Sequence, residues 1–490
     1  MTRSSLTRAA LAVACLAALS GCASMAPRYA RPDAPVAAQF RDTAAAGASD
    51  QAATPVAALD WQQVFLDPRL RQVIALALDN NRDLRVALLN IESQRAQYRI
   101  QRADLLPSID ASASQSRSRT SASSSTSGIG GVSQSASAEV GFSSWELDLF
   151  GRIRSLKNDA LETWLATTET QRSTRLTLVA EVAANWLTVA ADQQRLRLAQ
   201  DTLASQRQSL KLTQAQHDEG VMSGVDLAQM QSTVESARAD VASYTTQLAQ
   251  DRNALELLAG APVGGALLPQ PDVLETSVAL APLPADLDSR VLLQRPDVLS
   301  AEHTLKAANA NIGAARAAFF PTIALTASTG RGSDALSNLF DSGNRTWSFV
   351  PSITLPIFDA GVLKGNLDVA RIEKNIDVAT YEKTIQTAFS EVADALVARA
   401  NLAEQLDAQN ALVDATRRSY TLADARYRNG VDSYLEALTS QRALYSAQQD
   451  QITLRLTEAS NRVTLYKVLG GGADAQSGTT ANADSVEAAR

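Results

Sequence analysis

The chain has 490 residues, a formal net charge of −7, 45% hydrophobic and 20% charged residues, with a mean hydropathy of −0.10. Lysine plus arginine number 45 against 52 acids, so there is no basic excess to hold nucleic acid. No run of about 18 apolar residues follows the N-terminus, which excludes a polytopic helical membrane protein. The length allows about three domains or one very elongated one. Aromatics are only 5%, and Ala and Gln are abundant, a profile of long helices rather than of a compact mixed enzyme. Two Cys and two His leave little room for a zinc site or a disulfide framework. His217 and His303 each lack a second ligand at useful spacing, and no Ser-His-Asp set, phosphate loop or metal cluster is recognisable. The sequence therefore assigns no catalytic residue, no cofactor and no metal, and the chain reads as a non-enzyme.

Residues 1–21 read as an export signal. Arg3 and Arg8 supply the positive end, and Ala9 to Ala18 form an apolar core too short to remain as a spanning helix. It ends in Leu19-Ser20-Gly21-Cys22, which resembles the bacterial lipobox, so Cys22 is expected to be acylated. By resemblance to bacterial lipoproteins, Ala23 favours outer-membrane sorting. Residues 22–57 are Ala- and Pro-rich with little periodicity, an expected extended strap after the lipid.

The remainder is two similar halves, 58–270 and 271–470. Leu105-Leu106-Pro107-Ser108-Ile109 recurs as Phe319-Phe320-Pro321-Thr322-Ile323, 214 residues on, and Asp83-Leu84 recurs as Asp297-Val298 at the same offset. Leu147-Asp148-Leu149-Phe150 recurs as Leu355-Pro356-Ile357-Phe358 and Gly220-Val221 as Gly430-Val431, in the same order. The period is far too long for a solenoid unit, so each half is a whole subassembly.

Each half opens with a helical stretch, 67–104 and 296–318, that stops before a proline. Two strand-like stretches follow, within 108–148 and 321–358. Ile109, Ala111 and Ala113 alternate with Asp110, Ser112 and Ser114; Ile323, Leu325 and Ala327 alternate with Ala324, Thr326 and Ser328. Trp347, Phe349, Ile353, Leu355 and Ile357 alternate with Ser348, Ser352 and Thr354. These are two-faced strands. The phase changes near Ser143-Ser144-Trp145. Connections 117–134 and 330–344 are rich in Ser, Thr, Gly and Asn, as solvated loops are.

A long helical hairpin comes next, over 152–259 and 362–469. Arg152 to His217 contains no Pro and no Gly, enough for a helix on the order of 100 Å. Val182, Val189, Leu196, Leu203 and Leu210 recur every seven residues. Ile385, Val392, Leu406, Val413, Tyr420 and Tyr427 keep the same register, interrupted by Arg399. Sustained heptads mean helices packed lengthwise. Gln193 and Gln200 leave the second seam incomplete, which suits helices around a wet lumen. Gly-containing turns, Gly220 to Gly224 and Asn429-Gly430, reverse the chain. Residues 471–490 read as a disordered tail.

Strands with a lipid-compatible face cannot sit in a bilayer as an open sheet, because their edge N–H and C=O groups would be unsatisfied. Four strands are also too few for a barrel of one chain. Either several chains share one barrel, or the strands form an ordinary soluble layer on a helical stalk.

The duplicated plan and lipobox, with Asp60-Trp61, Trp145-Glu146-Leu147-Asp148-Leu149-Phe150-Gly151, Gln294-Arg295-Pro296-Asp297, Phe358-Asp359-Ala360-Gly361 and Arg426-Tyr427-Arg428-Asn429-Gly430-Val431, resemble the TolC-like outer-membrane efflux factors, in their lipoprotein branch of the OprM type. The resemblance spans about Pro27 to Gly470. It implies a mainly α fold with a small β part, and a homotrimer in the bacterial outer membrane. Its barrel would have twelve strands, four per chain, continued by a periplasmic α-helical coiled-coil barrel. It also implies a periplasmic adaptor (membrane fusion protein), an inner-membrane RND-type pump, contact with outer-membrane lipid and no nucleic acid. The function implied is a passive exit duct for drugs or other small solutes. A duct for a type I protein-secretion system and a structural stalk without a pore are the alternatives.

In this family the helical turns meet the adaptor, which points to Gly220, Val221, Ser223, Gly430, Val431 and Ser433. Ser223 and Ser433 read equally as helix N-caps. The family closes its tip with rings of acidic and bulky apolar side chains. The matching positions are Leu435 and Thr439, where Thr439 replaces the acid often found. Asp432 and Glu436, with Asp226 at the position equivalent to Glu436, are the nearby acids for such an aperture; they read also as exposed acids on a helix face. Trp145, Phe150, Trp347 and Phe349 are candidate membrane-interface aromatics or ordinary packing residues.

Overall fold

The computed structural model describes residues 24–40, 60–124, 129–270, 273–274, 276–278 and 287–472. The signal, Cys22 and nearly all of the predicted tail lie outside them. The elements in order are α1 (Pro68–Asn80), α2 (Arg82–Ala103), β1 (Asp110–Thr120), β2 (Gly131–Glu146), α3 (Arg152–Asp218) and α4 (Gly224–Ala259). After a linker come α5 (Pro296–Ala317), β3 (Thr322–Ser333), β4 (Arg345–Thr354), α6 (Val362–Arg428) and α7 (Tyr434–Val468). The described residues are thus mainly helical with one small sheet, and the two halves share the order helix, two strands, long helix, return helix, except that the first opens with two helices. No described helix is long and apolar enough to cross a membrane.

Two expectations need correction. The stretch 67–104 is not one helix: Asn81 breaks it, with extended backbone dihedrals. Its side chain accepts from the Leu84 N–H at 2.9 Å and donates to the Leu258 carbonyl at 2.9 Å. A cap and a tertiary hydrogen bond together outweigh one helical hydrogen bond, and neither is written in local periodicity. The loops expected over 117–134 and 330–344 are also shorter, because β1 continues to Thr120, β2 begins at Gly131 and β3 continues to Ser333. Serines there pair across strands, Ser114 with Ser137 at 2.9 Å and Ser118 with Ser133 at 2.8 Å, so a turn-like composition still sustains a ladder.

By compactness the chain sorts into two units, each drawing segments from both halves. One comprises residues 1–33, 90–167 and 300–381; the other comprises 34–89, 168–299 and 382–490.

The first unit holds the sheet, antiparallel throughout in the order β1-β2-β3-β4. Register puts Ala113, Ala138 and Val140 on one face with Leu325, Ala327, Phe349 and Ile353, and puts Ser114, Ser137, Thr326, Ser328 and Ser348 on the other. The phase change expected near Ser143-Ser144-Trp145 is a β-bulge between Phe142 and Trp145, with Ser144 at φ 54. It returns Trp145 to the apolar face, where it meets Phe142 edge-on at 6.1 Å.

Charged side chains fasten the strands to the helices. Arg152 is bidentate on Glu146, closest at 2.6 Å. Asp148 accepts from the backbone N–H of Ile153 and Arg154, at 3.1 and 2.9 Å, and so caps α3. Asp359 does the same for α6, accepting from Gly361 at 3.0 Å and Leu363 at 2.6 Å. These backbone bonds hold its carboxyl below the usual carboxylate range. Residues 25–31 run along α5. The Asn309 amide donates to the Pro27 carbonyl at 2.7 Å, and buried Glu302 takes Arg31 at 2.6 Å and Lys306 at 3.2 Å.

The second unit is a helical core. Phe65, Leu70, Ile74, Trp186 and Leu255 are fully buried, and the Trp186 indole donates to the Leu267 carbonyl at 3.0 Å. Heptad residues Val182, Val189, Ile385 and Val392 are each 0% exposed. Buried Arg295 donates to Asp297 at 2.7 Å, Glu391 at 2.8 Å and the Val468 carbonyl at 2.8 Å, closing the linker onto the end of α7.

In the sheet unit, burial and then the neighbouring Glu373 push the Asp159 carboxyl up to about 6. A carboxyl raised above its unfolded value favours the folded state most at low pH, and that contribution is lost as pH rises through the folded value. Asp159→Asn is therefore expected to raise the melting temperature at pH 8 and leave it nearly unchanged at pH 3, below the unfolded value. Calorimetry at the two pH values checks the difference.

Candidate functional site

The residues singled out for docking and gating cluster at the ends of the two hairpins. Both reversals use one backbone device. Gly220 donates to the His217 carbonyl and Val221 to the Gln216 carbonyl, each at 2.9 Å; Gly430 donates to Tyr427 and Val431 to Arg426, each at 2.9 Å. This pair of bonds is a Schellman motif, which needs a left-handed residue at its centre. Gly220 and Gly430 supply it at φ 72 and 71. A Cβ at either position meets nothing within 4 Å, so conformation rather than space demands glycine. Val221 and Val431 are left exposed at 78% and 61%.

The two caps differ. The Ser223 hydroxyl accepts from the Asp226 N–H at 3.2 Å and donates to the Asp226 carboxylate at 2.7 Å. Ser433 occupies the same position with extended dihedrals but makes no side-chain cap bond. His217 is spent on the first turn, its Nδ1 lying 2.9 Å from the Met222 carbonyl oxygen.

Of the residues the sequence suggests for an aperture, Leu435 is 62% exposed, and Glu436 and Thr439 are exposed beside it on α7. Thr439 donates its hydroxyl to the Leu435 carbonyl at 2.8 Å, so it presents little free polarity. Asp432 is engaged by Arg426, whose Nη2 lies 2.9 Å from Oδ1. That bond holds the Asp432 carboxyl below its usual range and cancels its charge locally. Glu436 is thus the exposed acid of the second turn.

Sequence reasoning missed what binds the two hairpins together. Met230 on α4 is 0% exposed and packs against Tyr434 and Leu438 on α7, with Leu210 on α3 and Tyr427 on α6 closing the cluster. Tyr434 donates its hydroxyl to the Met230 sulfur at 3.0 Å and meets Tyr427 edge-on at 5.3 Å. Burial, then the neighbouring tyrosines, push the Tyr434 phenol up. All four helices meet at this point, Tyr434 and Leu438 interleaving along α7 with the exposed Leu435, Glu436 and Thr439. The signal available in sequence was Tyr427 in a heptad position; nothing local marked Met230. A second tie is Tyr445, which donates to Asp240 at 3.2 Å.

At the sheet, Trp347 and Phe349 stand 76% and 58% exposed on the apolar face. Phe150 instead stacks on Phe320 at 4.8 Å, an internal packing role at the strand–helix junction.

The model for the family described as "Outer membrane efflux protein" matches residues 73–261 and 287–471. The probable efflux pump outer membrane protein TtgC of Pseudomonas putida is 48% identical over 482 residues, covering 98% of this chain and 99% of that protein. Among solved structures, a membrane protein from Pseudomonas aeruginosa superposes with a TM-score of 0.85 at 41% identity, covering 91% of this chain and 100% of its own. The open state of the Neisseria gonorrhoeae MtrE outer membrane channel gives 0.83 at 39% identity, covering 92% and 99%.

Truncation of Tyr434 tests the hairpin lock. Tyr434→Ala is expected to cost about 3 kcal/mol, whereas Tyr434→Phe, which keeps the ring and loses only the sulfur contact, costs less than about 1 kcal/mol. Chemical denaturation of the two variants beside the wild type reads both.

Proposed function

The chain belongs to the outer membrane efflux protein family, and on that premise we propose that it is the outer-membrane channel of a tripartite efflux system. It is a passive homotrimeric exit duct for drugs or other small solutes. The observation that carries this reading is the sheet: one face apolar, one face serine-rich, and both edge strands, β1 and β4, without a partner among the described residues. In a bilayer those edges must pair. Three copies joined β4 to β1 close a twelve-stranded barrel with the serine face inward, a wet lumen of a size common among outer-membrane barrels.

The helical hairpins reach into the periplasm, and the turns at Gly220 and Gly430, with exposed Val221 and Val431, receive a periplasmic adaptor. An inner-membrane RND-type pump supplies the energy. Lipid on Cys22 anchors the chain to the outer membrane. Leu435 and Glu436 from three copies line the aperture, where converging carboxylates repel one another and attract cations. The efflux-pump names of the relatives favour small solutes over secreted proteins.

Single-channel recording in a planar bilayer tests the duct and its aperture together. The purified trimer is expected to conduct, and Glu436→Ala and Leu435→Ala to raise conductance at least about twofold by widening the narrowest level. A folded trimer that stays silent even with both substitutions would leave the structural stalk as the better reading. In the membrane fraction, Cys22→Ser is expected to lose the acyl mass seen by intact-protein mass spectrometry.

A further inference from the structure

The charged residues of the four strands are sorted by face. Arg117 and Arg119 of β1, Arg331 of β3 and Arg345 of β4 all fall on the apolar face; Asp110, Glu139 and Glu146 all fall on the serine face. An arginine among apolar residues is costly at mid-bilayer and cheap only near an interface. All four lie near the hairpin-loop ends of their strands. Arg119 precedes the last residue of β1, Arg331 is two residues from the end of β3, and Arg345 opens β4. They border an apolar band that includes Trp347, Phe349 and Ile353.

Arg331 is partly committed. It pairs in register with Arg345 and donates to the Phe340 and Asp341 carbonyls at 2.7 and 2.8 Å. Arg117, Arg119 and Arg345 are exposed and have no ion-pair partner among the described residues. Arg117 and Arg119 share a face about 7 Å apart along β1. β1 and β4 are also the two edges of the sheet.

We propose that each seam between protomers carries a binding site for the phosphates of the phosphorylated glycolipid of the outer leaflet, made by Arg345 of one copy and Arg117 and Arg119 of the next. The proposal rests on the duct reading, which places the hairpin loops outside the cell and joins β4 to β1. The chemistry fits: guanidinium forks bind phosphate oxygens through paired hydrogen bonds, and the apolar band beneath receives the acyl chains. Like-charged arginines gathered at one edge repel unless an anion lies between them, so the site is incomplete without its ligand and without the neighbouring copy.

Native mass spectrometry of the full-length trimer in detergent tests this, with added lipid A, its dephosphorylated form and phosphatidylglycerol as probes. Wild type is expected to retain lipid A at least tenfold more tightly than the dephosphorylated form and more tightly than phosphatidylglycerol. Retention should weaken with added salt. Arg117→Gln/Arg119→Gln/Arg345→Gln is expected to abolish that preference, while the lysine triple variant keeps part of it. Equal retention of the two lipid A forms by wild type would overturn phosphate recognition, whatever the variants do. Equal retention of phosphatidylglycerol would overturn the glycolipid assignment. A preference that survives in the glutamine variant would move the site off the seam. Conductance of the wild-type preparation, recorded before lipid is added, separates failure of the duct from failure of the site.

Discussion

Everything here turns on backbone hydrogen bonds that one chain cannot make. A four-stranded sheet leaves one row of N–H and C=O groups open on β1 and another on β4. In water such edges are an aggregation hazard; in hydrocarbon each open group costs several kcal/mol. Along β4, Arg345 and Pro351 give some edge protection, but Trp347, Phe349, Val350 and Ile353 stand on exposed positions. An edge that is both apolar and unpaired is tolerable only if another copy completes it. Oligomerisation is then part of the fold rather than an addition to it, and the serine face becomes a lumen because closure leaves it no other place.

The same logic of satisfied polar groups explains the motifs. In Trp145-Glu146-Leu147-Asp148-Leu149-Phe150-Gly151, Glu146 holds Arg152 and Asp148 caps α3. In Phe358-Asp359-Ala360-Gly361, Asp359 caps α6, while Ala360 and Gly361 turn the chain at φ 55 and 92. In Gln294-Arg295-Pro296-Asp297, Arg295 ties the linker to Asp297, Glu391 and the end of α7. Each motif sits where a strand or linker must become a helix, and each spends its charge on that junction.

Much of this was legible in the sequence because it is periodic or local. Alternation announced the two-faced strands, the slip at Ser143-Ser144-Trp145 announced the bulge, and paired glycines announced the helical reversals. What stayed hidden depends on distant partners. Asn81 looks like one more polar residue in an amphipathic run until Leu258 accepts its amide. Asp432 looks like a free acid until Arg426 reaches across the turn to it. Ser223 and Ser433 look equivalent, yet only Ser223 bonds the helix behind it. Met230 and Tyr434 are 204 residues apart, and no pattern within either helix specifies that they meet.

Ionic and apolar contacts hold different places in the fold. Charges at the junctions are neutralised within the chain, as with Glu302 between Arg31 and Lys306, and so fix geometry. Val221, Val431, Leu435 and Glu436 at the hairpin ends and Trp347 and Phe349 on the sheet are instead left exposed. The tie between the hairpins, Met230 against Tyr434, is held by packing rather than by ion pairs. Packing of that kind is far less sensitive to ionic strength than an exposed ion pair is, so this tie between the hairpins holds where the charges around it are screened.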